Sequence, residues 1–230
     1  MPARRSRFNR ARPAARSEPM TFLPDAPTFA AYLLACLVLF VTPGPDMSLM
    51  LARTIGAGRR AGLATVLGTS TGTLGHTLAA ALGLSALLAA SATAFLVLKL
   101  VGALYLAWFA LDALRRGSAL TVRAERVGGG FRRAFWTGVG VNLTNPKVVL
   151  FFITFLPQFV RADAVNLAGQ LAFLGAAFVA VTLPLGILLV LGAERITGAL
   201  QARPRMLRAI DWLFAGLFGA FAARILATAR

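Results

Sequence analysis

Two short stretches of this 230-residue chain combine ionisable side chains with helix-breaking residues inside an otherwise apolar sequence. The first is Thr42-Pro43-Gly44-Pro45-Asp46. Each proline removes a backbone donor and clashes with the preceding turn, so a regular helix cannot run through it. The second is Asn142-Leu143-Thr144-Asn145-Pro146-Lys147, which again joins a proline, a polar cluster and a charge. A carboxylate at Asp46 can hold a cation or carry a proton, and an ammonium at Lys147 can hold an anion. Asn142 and Asn145 can donate to and accept from the same ligand. The plainer readings are that Asp46 caps the half-helix after the break and that Lys147 snorkels to a surface. His76, the only histidine, is a candidate proton relay; a hydrogen-bonded packing role is its simpler reading.

The elements that must position these residues are apolar helices. Hydrophobic residues make up 58% of the chain and charged residues 14%, against roughly 25% charged in soluble domains. Six apolar segments follow one another: Phe29 to Leu51, Leu63 to Ala90, Ala94 to Leu114, Ala134 to Phe159, Leu167 to Leu191 and Ile210 to Leu226. Each is long enough to cross a hydrocarbon layer about 30 Å thick. None alternates as a barrel strand would. The expected fold is therefore all-α and integral to a membrane, with six transmembrane helices. In lipid, a broken helix persists where its freed carbonyls are buried or line a wet cavity, and a charge there costs at least about 2.5 kcal/mol on insertion scales. That makes Asp46 and Lys147 functional candidates. The breaks fall in the first and fourth segments, as two inverted three-helix repeats would place them.

Lys+Arg number 24 against 8 Asp+Glu. The basic residues lie mostly between apolar runs, which fits anionic lipid and the positive-inside rule better than nucleic acid. Arg53, Arg59 and Arg60 follow the first segment. Arg115, Arg116, Arg123, Arg126, Arg132 and Arg133 follow the third, and Arg195, Arg203, Arg205 and Arg208 follow the fifth. The other face, counted from Met20, has only Arg161, Arg224 and Arg230. This asymmetry predicts a cytoplasmic first set and both termini outside. Residues 1–19 form a disordered basic leader that would lie on the wrong side, so translation is expected to begin at Met20, leaving residues 20–230 as one transmembrane domain. Cys36 is the only cysteine, which excludes an intrachain disulfide and a CxxC redox pair. No HExxH motif or nucleophile–base pair is present, so an enzyme is not expected, and no cofactor or metal is called for. Gly62, Gly68, Ser70, Thr71, Gly72 and Gly75 give the second segment a small-residue face that suits helix packing within the chain or a homodimer. Lys99 is read as snorkelling, and Asp112 as an interfacial partner of Arg115 and Arg116.

These motifs, taken in order, resemble the LysE/RhtB family of inner-membrane amino-acid exporters. The resemblance rests on Thr42 to Asp46, on the glycine-spaced helix from Gly62, and on Lys99, Gly102, Tyr105 and Leu106. It continues through Phe135 to Gly138, Asn142-Leu143, Asn145-Pro146-Lys147, Phe151-Phe152 and Leu156-Pro157-Gln158-Phe159. It covers about Thr21 to Leu226 and implies a bacterial inner-membrane exporter of small amino-acid-like solutes driven by the proton gradient. On this chain the resemblance makes Asp46 and Lys147 the functional charges, paired with one another when no solute is bound. Pro43, Gly44, Pro45, Asn145 and Pro146 shape the breaks, and Thr42 beside them is a further candidate site residue. The alternative is a channel or a non-transporting assembly subunit, since two broken helices could also build a filter.

Overall fold

The structure is a computed structural model that describes residues 24–116, 130–160 and 166–228. The basic leader and most of the Arg115–Arg133 connection, with Arg123 and Arg126, lie outside the described residues, as does Arg161. Every regular element among the described residues is helical. They are α1 (Ala26–Val41), α2 (Pro45–Ala57), α3 (Arg59–Ala79), α4 (Ser85–Ala90), α5 (Ala92–Arg116), α6 (Phe131–Thr144), α7 (Pro146–Leu150), α8 (Leu167–Leu191), α9 (Ala193–Ala202) and α10 (Pro204–Thr228). A π-turn at Ala80–Leu84 carries α3 into α4, so the second apolar segment is one helical rod. A second π-turn at Phe151–Phe155 and a 3₁₀ turn at Leu156–Phe159 extend α7.

Helix α1 starts where Asp25 caps it: the carboxylate accepts from the Thr28 amide and hydroxyl, both at 2.9 Å. Those two bonds hold the exposed carboxyl below the usual carboxylate range. The chain then bends by 52° between α1 and α2, and by 51° between α6 and the helical stretch Pro146–Phe159. The bends coincide with Pro43, Pro45 and Pro146, each of which lacks the N–H a continuous helix needs.

Three helical stretches, Thr93–Asp112, Leu167–Leu191 and Arg205–Arg224, are long and apolar enough to span a membrane, and the two bent pairs raise the number to five. Helix α3 by itself is not among them, because threonines and glycines replace large side chains along it. The reason lies in its position. α3 packs mainly against α6 and also against α8 and α2, and the face that meets those helices needs close approach more than apolar bulk. A side chain at Gly68 would run into the Phe135 carbonyl, and one at Gly138 would lie 2.6 Å from the Thr65 carbonyl. The small-residue face expected to serve either packing or a dimer is therefore engaged inside the chain.

A large aromatic cluster fixes the bends. Tyr32 on α1, Phe151, Phe155 and Phe159 after the second break, Phe178 on α8 and Phe214 and Phe218 on α10 are all buried together. The Tyr32 hydroxyl donates to the Leu174 carbonyl at 2.7 Å. A second, smaller cluster joins Met47, Met50, Leu51, Val66, Leu189, Val190 and Ala193. The outer faces of α5 and α10 expose Leu96, Val97, Val101, Leu104, Trp108, Trp212 and Leu213, the large apolar side chains that a lipid-facing surface requires.

Candidate functional site

Each proline break leaves one carbonyl without its helical donor, the one four residues earlier. For Pro43 that carbonyl belongs to Leu39. Lys147 reaches across from α7 and donates its Nζ to Leu39 O at 2.9 Å and to Thr42 O at 2.7 Å. The lysine is buried. It thus supplies a cation to the C-terminal end of α1, where the macrodipole is negative. Gly44 makes this approach possible, since a Cβ there would stand 3.1 Å from Nζ. Thr42 closes α1 from its other side, its hydroxyl donating to Val38 O at 2.7 Å.

The second break is closed differently. The carbonyl four residues before Pro146 belongs to Asn142; it accepts from the Asn145 amide at 3.1 Å, and His76 Nε2 lies 3.2 Å from it. The imidazole also stacks on Phe152, with ring centroids 5.6 Å apart. Asn145 caps α7, its Oδ1 accepting from the Lys147 amide at 3.1 Å. Its Nδ2 is buried without a partner.

Asp46 stands in the first turn of α2, one helix across from Asn142. Its Oδ2 accepts from Asn142 Nδ2 at 2.7 Å, while its Oδ1 is buried with no hydrogen-bond partner. No side chain caps α2, so capping does not explain this carboxylate. Nor is Asp46 paired with Lys147, whose ammonium is engaged by the two carbonyls. Asn142 is itself held from α3. The Thr73 hydroxyl lies 3.3 Å from its Oδ1 and 3.0 Å from the Thr69 carbonyl. Gly72 allows that contact, because a Cβ there would be 2.7 Å from Asn142 Oδ1.

Asp46 and Lys147 face a cavity bounded by α1, α2, α3, α6, α7 and α8, whose walls include Met47, Met50, Thr69, Ser70, Thr73, Asn142, Phe178 and Thr182. Its volume is about 50 Å³, room for a few water molecules and too little for a solute of amino-acid size. A wider space of about 590 Å³ opens where the α2–α3 turn meets the α8–α9 turn, lined by Thr54, Gly58, Arg59, Val190, Glu194 and Arg195 among others. The Met47, Met50, Val66, Val190 cluster joins the walls of both spaces: the first three line the inner cavity and Val190 lines the outer one. A buried carboxylate with a free oxygen, on the wall of a small cavity beside an apolar cluster, is an arrangement for binding and releasing a solute. Among the described residues no group of three or more His, Cys, Asp or Glu could hold a metal ion.

Residues 37–229 match the family described as LysE type translocator. The chain belongs to that family. It is similar to the homoserine/homoserine lactone efflux protein of Salmonella typhimurium, 31% identical over 200 residues that cover 87% of this chain and 96% of that protein. It is also similar to a leucine efflux protein of an Enterobacter species, 26% identical over 86% of this chain and 94% of the relative. An uncharacterised membrane protein of Escherichia coli is 26% identical over 87% of this chain and 90% of its own length. No solved structure matches. This LysE-type chain is accordingly a transmembrane efflux protein, and the family assigns it to transporters rather than enzymes.

In this LysE-type chain the expected site residues come together. Asp46 and Asn142 form one contact, Lys147 closes the first break, and Asn145 and His76 secure the second. Sequence reasoning missed the polar wall that α3 contributes, Thr69 and Thr73, together with Phe178 and Thr182 of α8. A threonine repeat at positions 65, 69, 73 and 77, one per helical turn, was the available signal. Arg53 also differs from expectation. It is not a loop residue on the solvated side, but a buried residue of α2, 8% exposed.

Proposed function

We propose that this protein exports amino acids or closely related metabolites across a bacterial inner membrane by proton antiport. The observation that carries the reading is Asp46 Oδ1, a buried carboxylate oxygen without a protein partner on the wall of a small cavity. An amino acid offers an ammonium to such an oxygen, and a proton can replace the ammonium once the solute has left. The same carboxylate would then serve both substrates in turn, which is the coupling that antiport requires. The efflux proteins of homoserine and leucine among the relatives support a solute of this class.

In this reading the α3–α4 rod is a sixth span, with α6 and α8 on its polar side and Leu67, Leu74, Leu78 and Leu82 exposed on the other. The two halves, each opening with a helix broken at proline, are inverted repeats, and both termini are periplasmic. Because the inner cavity has room for only a few waters, admitting a solute requires its walls to part.

The test is export of an amino-acid panel from proteoliposomes bearing a proton gradient. Asp46→Asn removes the titratable group and preserves the shape. The variant is expected to insert normally and to lose proton-driven export by roughly 100-fold or more, as the loss of an interaction with a charged group predicts. Undiminished export by Asp46→Asn would remove Asp46 from the mechanism, and ion conductance without solute-linked proton movement would favour a channel.

A further inference from the structure

We propose that Arg53 is a carboxylate-binding residue for the transported solute, placed on the same helical face as Asp46 but nearer the wide opening at the α2–α3 and α8–α9 turns. The inference rests on the reading of this chain as an amino-acid exporter. Arg53 is 8% exposed. Its Nη1 has no hydrogen-bond partner, and its Nη2 reaches only the Thr137 hydroxyl oxygen at 3.4 Å, beyond the usual range of such bonds. A guanidinium does not deprotonate in proteins, so it cannot relieve its burial by becoming neutral. An unpaired buried charge is strongly unfavourable, and no carboxylate among the described residues pairs with this one. The missing partner is an anion that is present only part of the time.

The position says which anion. Arg53 follows Asp46 by seven residues, two turns along α2, which separates their backbones by about 10 Å. Met50 lies between them on the same face and lines the small cavity. The neighbouring α6 runs antiparallel along this seam, with Asn142 beside Asp46 and Thr137 beside Arg53. Thr54, the next residue after Arg53, lines the wide opening. Lys147 is not available as the cation for a carboxylate, because two of its three protons go to Leu39 O and Thr42 O. A single carbon separates the ammonium and carboxylate of an α-amino acid, whereas the α6 residues that the two side chains reach, Thr137 and Asn142, lie five residues apart, about 7.5 Å along the helix. The two charges therefore act in sequence. The planar fork of Arg53 takes the carboxylate bidentately as the solute enters, the flexible Met50 side chain yields, and the ammonium then reaches Asp46.

The experiment compares substrates with and without a free carboxylate. The purified protein is reconstituted in phosphatidylcholine vesicles, and counterflow of labelled homoserine and leucine is measured beside homoserine lactone and leucinamide. The last two keep the ammonium and lack the carboxylate. Arg53→Gln is expected to raise the half-saturating concentration for homoserine and leucine roughly ten-fold or more, about the value of one charge-assisted bond, and to leave the lactone and amide within about two-fold. Arg53→Lys, which keeps the charge without the fork, falls between; if the glutamine variant does not fold, this variant still reads the proposal, through a shift confined to the acids. Equal weakening of all four compounds, or no shift for the acids, overturns it. An effect seen only when phosphatidylglycerol is added assigns Arg53 to a lipid phosphate and also overturns it. Failure of the unaltered protein to move any of the four overturns the exporter reading itself, an outcome distinct from loss of acid discrimination in the variant alone.

Discussion

At each proline break of this chain, an ionisable side chain from the other half lies against a backbone carbonyl. Lys147 supplies the donor that Pro43 denies to Leu39 O, while His76 lies beside the Asn142 carbonyl, which also accepts from the Asn145 amide. Leaving a buried carbonyl unpaired costs about 1–3 kcal/mol, so Lys147→Met, which strands two of them, is expected to lower unfolding stability by roughly 2 kcal/mol after the relief of burying a cation is counted. Pro43→Ala restores an amide that can bond Leu39 O. The double variant is then expected to lose less stability than Lys147→Met alone, read as thermal melting in detergent across the four-member cycle. Strict additivity would show that the lysine acts elsewhere. For His76 the geometry assigns a positioning role first. Its contact goes to a backbone carbonyl, and its effect on Asp46 passes through Asn142.

The decisive element is the crossing of α3 over α6. Gly68 meets the Phe135 carbonyl and Gly138 meets the Thr65 carbonyl, so the two backbones approach as closely as glycine permits. That closeness lets Thr73 and His76 grip Asn142, which in turn orients Asp46. Gly68→Ala would force the helices apart, at a cost of about 1–3 kcal/mol by overpacking, and is expected to abolish export through loss of the Asn142–Asp46 contact. Gly140→Ala, on the same helix α6 with nothing within 4 Å of the added methyl, is the control and should leave export and melting temperature unchanged or slightly improved. A Gly68→Ala protein with normal export would show that the crossing does not set the site.

On the scale of the whole molecule, the chain sets Asp46 on a cavity too small for its solute, and a wide opening lies where the α2–α3 and α8–α9 turns meet. That opening lies among Arg59, Glu194 and Arg195, residues of the basic connections expected on the cytoplasmic side. Charge attraction to anionic lipid fits the same end, as does the short helix α9, which occupies much of the connection before α10. A C-terminal reporter tests the arrangement. Periplasmic activity, with none in the cytoplasm, is expected for six spans counted from Met20, and cytoplasmic activity would reduce the count to an odd number.

Much of this protein was legible in its residues alone. Apolar bulk determined that it is a helical membrane protein, and six segments with two proline breaks determined where its helices bend, because lipid leaves the backbone few alternatives. Residue type and order also marked Asp46, Asn142, Asn145 and Lys147. Their partners were not legible. Nothing local says that Lys147 bonds the end of α1 rather than Asp46, that Arg53 lies buried beside α6, or that the threonines of α3 form the cavity wall. Those facts follow from how α3 crosses α6 and from which carbonyls the prolines strand, contacts between residues as much as 108 positions apart. Helix formation is a local property of the chain, whereas the pairing of buried charges depends on which helices meet.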